Sequence, residues 1–126
     1  MMKKKLVVMI VGLALLSAEG LAASAIAGDL RVRCERRGNK RSKISVDGNN
    51  VRGGNYNVMV TSGGNTVQAS AATVGDEFET DFDSNRADIR AGATAISATF
   101  IQGGTVNVSV TGPESLSATN VACRIR

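Results

Sequence analysis

The chain has no histidine and no tryptophan, one proline, one tyrosine, three phenylalanines and two cysteines. Without histidine, imidazole-based triads and imidazole metal sites are excluded. Two cysteines with no histidine make a poor zinc set, and no Cys-x-x-Cys is present for redox chemistry. No serine sits in a Gly-x-Ser-x-Gly elbow, and no glycine-rich phosphate loop of Walker type occurs. The scarcity of aromatics leaves little with which to stack nucleobases or sugars, so nucleic-acid binding is not expected.

What is present at the N-terminus is a targeting pattern. Met1 to Lys5 is short and basic, Leu6 to Leu16 is apolar apart from Gly12, and Ala25-Ile26-Ala27 supplies the small-x-small cleavage signature. The apolar run is shorter than the roughly 20 residues that span a bilayer. Residues 1–27 therefore read as a cleaved secretory signal and 28–126 as a single domain, with no transmembrane segment after cleavage. Arg31-Val32-Arg33 before Cys34 excludes a lipoprotein site. Cleavage removes Lys3, Lys4, Lys5 and Glu19, leaving twelve basic and ten acidic residues, a net of +2 rather than +4. A strongly basic nucleic-acid binder is not implied. The expected location is periplasmic or secreted.

An oxidising compartment makes Cys34 and Cys123 one disulfide, joining the first strand to the last. Closing so long a loop is worth roughly 4 to 5 kcal/mol in the chain-entropy model. Both cysteines fall on the inward register of their strands, so the bond is expected to be buried.

Almost all of the mature chain alternates with period two. The inward sets are Leu30, Val32, Cys34; Ile44, Val46; Tyr56, Val58, Val60; Val67, Ala69, Ala71; Phe78, Thr80, Phe82; Ile96, Ala98, Phe100; Val106, Val108, Val110; and Val121, Cys123, Ile125. This pattern predicts an all-β fold, an antiparallel β-sandwich of seven or eight short strands with an immunoglobulin-like general architecture. The antibody-type pattern itself is missing, because there is no tryptophan and the cysteines are not on facing middle strands. Pairing Val60 with Val67 closes a two-residue Gly63-Gly64 turn. A Gln102-Gly103-Gly104 loop is expected to pair Phe100 with Val106 and Ala98 with Val108. Between Asp83 and Thr94 the alternation stops, and Ser84 or Asn85 is placed to cap a helical turn from Arg86 to Ala91, ended by Gly92, in a crossover between sheets. Residues 53–61 (GGNYNVMVT) and 103–111 (GGTVNVSVT) echo each other, from shared turn and strand rules or from duplication.

Two charged clusters are the candidate sites. Glu77, Glu79, Asp81 and Asp83 recur at every second residue and share one strand face opposite Phe78 and Phe82. They read as a solvated face needing counter-charges. An alternative is a weak calcium site, since Asp81-x-Asp83-x-Asn85 begins an oxygen-ligand loop; Arg86 and Gly92 depart from the EF-hand pattern. The second cluster is Arg31, Arg33, Arg124 and Arg126, which the disulfide would gather on one edge. It serves as a solubility device or as attraction for an anionic glycan, a lipid surface or another copy's acidic strip.

The expected function is an exported non-catalytic interaction or structural module, an assembly or accessory subunit that binds another protein or itself. The alternatives are a ligand-binding domain using calcium or an anionic glycan or lipid, and a small hydrolase using Asp or Glu.

Overall fold

The computed structural model describes residues 28–126; the expected signal, 1–27, lies outside the described residues. The chain forms β1 (Asp29–Arg37), β2 (Arg41–Asn49), β3 (Asn55–Ser62), β4 (Asn65–Ala72), β5 (Phe78–Asp83), α1 (Arg86–Arg90), β6 (Thr94–Ala95), β7 (Thr105–Thr111), β8 (Leu116–Ala122) and β9 (Arg124–Ile125). Two sheets result, a five-stranded one in the order β9-β1-β2-β5-β6 and a four-stranded one in the order β4-β3-β7-β8. The seven longer strands pair antiparallel; the two-residue strands β9 and β6 pair parallel to β1 and β5.

The alternation in sequence becomes the core. Ile44 and Val46 of β2, Tyr56, Val58 and Val60 of β3, Phe78 and Phe82 of β5, and Val106, Val108 and Val110 of β7 are buried between the sheets. Inward residues of the flanking strands β1, β4 and β8, such as Val32, Val67 and Leu116, pack against this core half-buried. Tyr56 stacks on Phe78 with ring centroids 4.9 Å apart, and its hydroxyl donates to the Arg52 carbonyl at 2.7 Å. Gly48, next to the end of β2, lies opposite Phe78, where a Cβ would overlap the phenyl ring. The ring covers the glycine, which explains a residue otherwise unfavourable in a strand.

The Gly63-Gly64 turn forms in the expected register, with Ser62 opposite Asn65 and Val60 opposite Val67. Gly63 takes φ +59°, the glycine-favoured first position of a type II′ turn. Helix α1 also forms, with Asn85 as N-cap accepting from the Ala87 and Asp88 N–H groups.

Four expectations need correction. The segment Ile96–Phe100 is not a strand, and Phe100 does not pair with Val106. A two-residue turn joins Gln102 to Thr105, with Gly103 at φ +63° and Gly104 at φ +71°. Ile96 N donates to Asp83 O at 3.1 Å, and beyond it side chains rather than a neighbouring strand take up most of the backbone. Ser42 Oγ donates to Ala98 O at 2.8 Å and accepts from Ile101 N. Asn65 Nδ2 donates to Phe100 O at 2.8 Å, Ser62 Oγ accepts from Gln102 N at 2.7 Å, and the Arg36 guanidinium donates to Ile101 O. Consecutive Phe100 and Ile101 are therefore both buried.

Secondly, α1 links β5 to β6 within one sheet; the crossing between sheets follows in 96–104. Thirdly, the chain leaves the four-stranded sheet at Cys123 and pairs β9 with β1, so Ile125 is 60% exposed rather than inward. Finally, the Cys34–Cys123 disulfide forms, with Cα atoms 4.7 Å apart, but both cysteines are half-buried because they sit at the sandwich edge.

The echoed segments lie side by side as β3 and β7, with the equivalent residues Met59 and Ser109 directly opposite. Their glycine pairs differ, since Gly54 takes φ +144° while Gly103 and Gly104 form a left-handed turn. The likeness is one of strands, not of turns.

Candidate functional site

Strand alternation on β1, β2 and β5 turns one set of side chains to the core and the other to solvent. The pairing register places the solvent set in rows. One row runs Arg31, Asp47, Glu79; the next Arg33, Ser45, Asp81; the third Glu35, Lys43, Asp83. Parallel pairing of β9 adds Arg124 beside Glu35. In the first two rows the charge passes from basic at β1 to acidic at β5.

All four arginines of the expected basic patch therefore reach one sheet, and all are exposed. Arg31 and Arg33 project from β1, while Arg124 and Arg126 are held at its far end by β9. Arg126 N donates to Arg36 O at 2.9 Å, and Gly38 N donates to Arg126 O at 3.2 Å. The patch is not purely basic. Glu35 receives Arg37 at 2.6 Å and Arg126 at 3.3 Å, and Arg33 pairs with Asp47 at 3.3 Å. The Arg37 hydrogen bond, with the Arg126 charge beside it, holds the Glu35 carboxyl below its ordinary pKa.

The acidic residues separate into two groups. Glu79 is exposed and Asp81 half-exposed, and among the described residues neither has an ion-pair partner. Glu77 precedes β5, in a small bridge with Val74. Asp83 is on the same strand face but is buried, because Arg41 and α1 fold over it. Arg41 Nε and Nη2 donate to its two oxygens at 3.0 and 2.7 Å, and Nη2 also reaches Asp88 Oδ2 at 2.9 Å. Burial alone would raise the Asp83 carboxyl, but the Arg41 fork and the Asn85 N–H outweigh it and hold it low. Asn85 spends its side-chain oxygen on the α1 cap.

In the row Asp81-x-Asp83-x-Asn85, two members thus have side-chain oxygens already engaged, Asp83 by Arg41 and Asn85 by the α1 cap. Among the described residues no group of three or more acidic or cysteine side chains is close enough to hold a metal ion. Beside this strand a groove of about 450 Å³ is lined by Lys43, Ser45, Glu79, Asp81, Asp83 and Asp88 with Ala91–Ala93. It is an open furrow over the sheet.

Sequence reasoning missed three placements. Arg41 is the specific counter-charge of Asp83; the sequence shows an excess of arginines but not which one arrives. Glu114 accepts from the Arg52 N–H at 2.8 Å and the Gly28 N–H at 3.1 Å, which lower its pKa. The third is charge segregation. Strands β3, β4, β7 and β8 contain no Asp, Glu, Lys or Arg, so the outer face of the four-stranded sheet is uncharged. That absence was readable in the sequence, but it acquires meaning only once these four strands share a sheet.

All four aromatic side chains of the chain, Tyr56, Phe78, Phe82 and Phe100, are in the core, which leaves no stacking platform on the surface. No described helix is long and apolar enough to cross a membrane. The chain matches no protein-family model, no curated protein and no solved structure.

Proposed function

We propose that this protein is an exported, non-catalytic assembly or accessory subunit that associates through the charged outer face of its five-stranded sheet. The observation that carries the reading is the passage from basic β1 to acidic β5 in register. A two-fold axis along β2 would set β1 of one copy over β5 of the next. Arg31 would then oppose Glu79, and Arg33 would oppose Asp81. Complementary charge of this kind steers encounter and fixes register.

Export is supported by the disulfide, which persists in oxidising compartments. Gly28 fits against Val51, where a Cβ would come within 2.5 Å of Val51 Cγ1. Cleavage after Ala27 would also turn the Gly28 nitrogen, 3.1 Å from Glu114, into an ammonium facing a carboxylate.

Sizing of the oxidised domain at low and at high ionic strength tests the reading. The salt-dependent part of any association is expected at low salt and is lost as screening shortens the Debye length. The double substitution Glu79→Lys and Asp81→Lys should abolish it without unfolding the domain. A wild-type monomer at low salt and high concentration, or salt-dependent association indifferent to that substitution, would sink the proposal.

A further inference from the structure

The two sheets have four free edges, formed by β9 with the uncovered part of β1, by β6 with the uncovered part of β5, by β4 and by β8. A free edge presents unpaired N–H and C=O groups to any extended chain, and natural sheets blunt such edges by shortness, charge, proline or bulges. Three of the four edges here are blunted. Strand β9 is two residues long, carries Arg124 and is followed by Arg126, and the part of β1 it leaves uncovered carries Asp29, Arg31 and Arg33; β6 is also two residues long, and the part of β5 it leaves uncovered carries Glu79 and Asp81. Strand β8 has a register break opposite Val106–Val108, and its Asn120 takes φ +54° with its N–H bound to Asn107 Oδ1 at 2.7 Å. Strand β4 carries none of these devices. It pairs with β3 over eight unbroken residues, and the chain from Gly53 to Gly75 contains no charge and no proline.

The hairpin fixes which backbone groups of β4 are free. A two-residue turn makes Ser62 and Asn65 a hydrogen-bonded pair, so Asn65, Val67, Ala69 and Ala71 address β3. The Thr73 N–H bond to Gly54 O at 3.0 Å continues that phase. Thr66, Gln68, Ser70 and Ala72 therefore turn their N–H and C=O groups outward, and all four residues are exposed. Among the described residues, no backbone hydrogen bond from a connecting segment reaches them.

We infer that β4 pairs antiparallel with β4 of a second copy, joining two four-stranded sheets edge to edge. The sequence of the strand is self-complementary in this arrangement. Centred on Ala69, the pairing sets Gln68 opposite Ser70 of the second copy and Thr66 opposite its Ala72, giving about eight new backbone hydrogen bonds. Val67 then meets Ala71 on the inner face, and uncharged polar side chains meet their own kind on the outer face. No side chain changes face, which is the condition for a stable register. The pairing also brings no like charges together, because the four strands of this sheet carry no charge. The edge offers no charge by which to select an unrelated basic or acidic strand, whereas a second copy supplies the matching strand already extended. This contact is distinct from the charged face and does not depend on it.

Sedimentation of the oxidised protein over a wide concentration range, at low and high salt, tests the inference. Hydrogen exchange is read at the Thr66, Gln68 and Ser70 amides. A dimer that survives high salt, with those three amides gaining protection as concentration rises, is the expected result. Gln68→Pro removes an outward N–H, and Ser70→Lys charges the exposed edge; each should yield a folded monomer. If Gln68→Pro fails to fold, Ser70→Lys alone decides. A wild-type monomer at high salt, or a dimer unmoved by Ser70→Lys, overturns the inference. An oligomer that dissolves in salt and ignores Ser70→Lys would overturn the edge contact yet leave the charged-face reading standing.

Discussion

Breaking the Cys34–Cys123 bond is the most quantitative perturbation this fold offers. The two residues are separated by 89 positions, and the chain-entropy relation assigns about 4.6 kcal/mol at 25 °C to closing a loop of that length. A domain of about a hundred residues has an unfolding entropy of about 0.2 kcal/mol/K, so the loss corresponds to a fall in Tm of about 20 °C. Since such domains are stable by roughly 5 to 15 kcal/mol, the reduced form should be marginal. The native contacts around the bond need not change on reduction. The β9–β1 pairing, the Cys123 N–H bond to Gly104 O at 2.8 Å and the Arg126–Glu35 pair all remain available. The stabilisation should therefore reside in the unfolded chain, which the bond keeps compact.

Urea unfolding of the oxidised and the reduced protein separates these contributions. The midpoint should fall, and the slope m should rise because the open unfolded chain exposes more surface. A loss below about 1 kcal/mol with unchanged m would refute the loop-entropy account. It would mean that β9 holds the chain end by itself. The Cys34→Ala, Cys123→Ala double variant should behave like the reduced protein, slightly weakened by lost packing of two half-buried sulfurs.

Arg41→Ala should cost about 3 to 5 kcal/mol, because it strands the Asp83 carboxylate, whose side chain is 3% exposed. Asp83→Asn should cost less, about 2 kcal/mol, since Arg41 retains Asp88 and some access to water. Equal costs from chemical denaturation would contradict this asymmetry. The pH dependence follows from the same pair. Asp83 has a folded pKa below its unfolded value of about 3.9, so its contribution is complete above that value and disappears as the pH falls through the folded pKa. Glu114, lowered by two backbone N–H groups, acts in the same direction. Urea midpoints on the acid side should fall less steeply in Arg41→Ala than in the native protein; parallel acid limbs would dismiss the pair as their source. Ser62→Ala should cost about 2 to 3 kcal/mol by leaving Gln102 N–H and Thr105 C=O without their partner, both of which lie within 2.7 Å of the hydroxyl. A loss under about 0.5 kcal/mol in thermal unfolding would show that another group takes its place.

The parts of this fold that were legible in sequence are those set by neighbours along the chain. Alternation marked β1 to β5 and β7, Gly63-Gly64 marked its hairpin, and Asn85 marked the start of α1. The segment from Ile96 to Phe100 alternates just as well and is not a strand. The backbone from Ala98 to Gln102 is claimed by Ser42, Ser62, Asn65 and Arg36, which lie 35 to 65 residues away in sequence. No local pattern announces a hydroxyl arriving from that distance. Ile125 fails for a related reason: its parity is right for β8, but the chain has already changed sheets at Cys123. In the charged cluster, spacing correctly placed Glu79 and Asp81 on an open face. It did not show that Arg41 and α1 would cover Asp83.

One long-range feature was written along the chain after all, in its charges. Residues up to Arg52 are densely charged and form β1 and β2; residues 53–75 carry none and form β3 and β4. Charge resumes at Asp76 for β5 and α1, stops after Arg90, and returns at Arg124 for β9, with Glu114 alone between. Three of these boundaries coincide with crossings from one sheet to the other, since β3, β4, β7 and β8 belong to one sheet and the charged strands to its partner. Solubility alone favours charges of both signs dispersed over the whole surface. Confining them to one sheet leaves a second face and edge that water tolerates but charge does not defend. The two proposed contacts are thus of opposite character, one dissolved by salt and one indifferent to it. A single subunit carrying both could be joined to its neighbours in two ways at once.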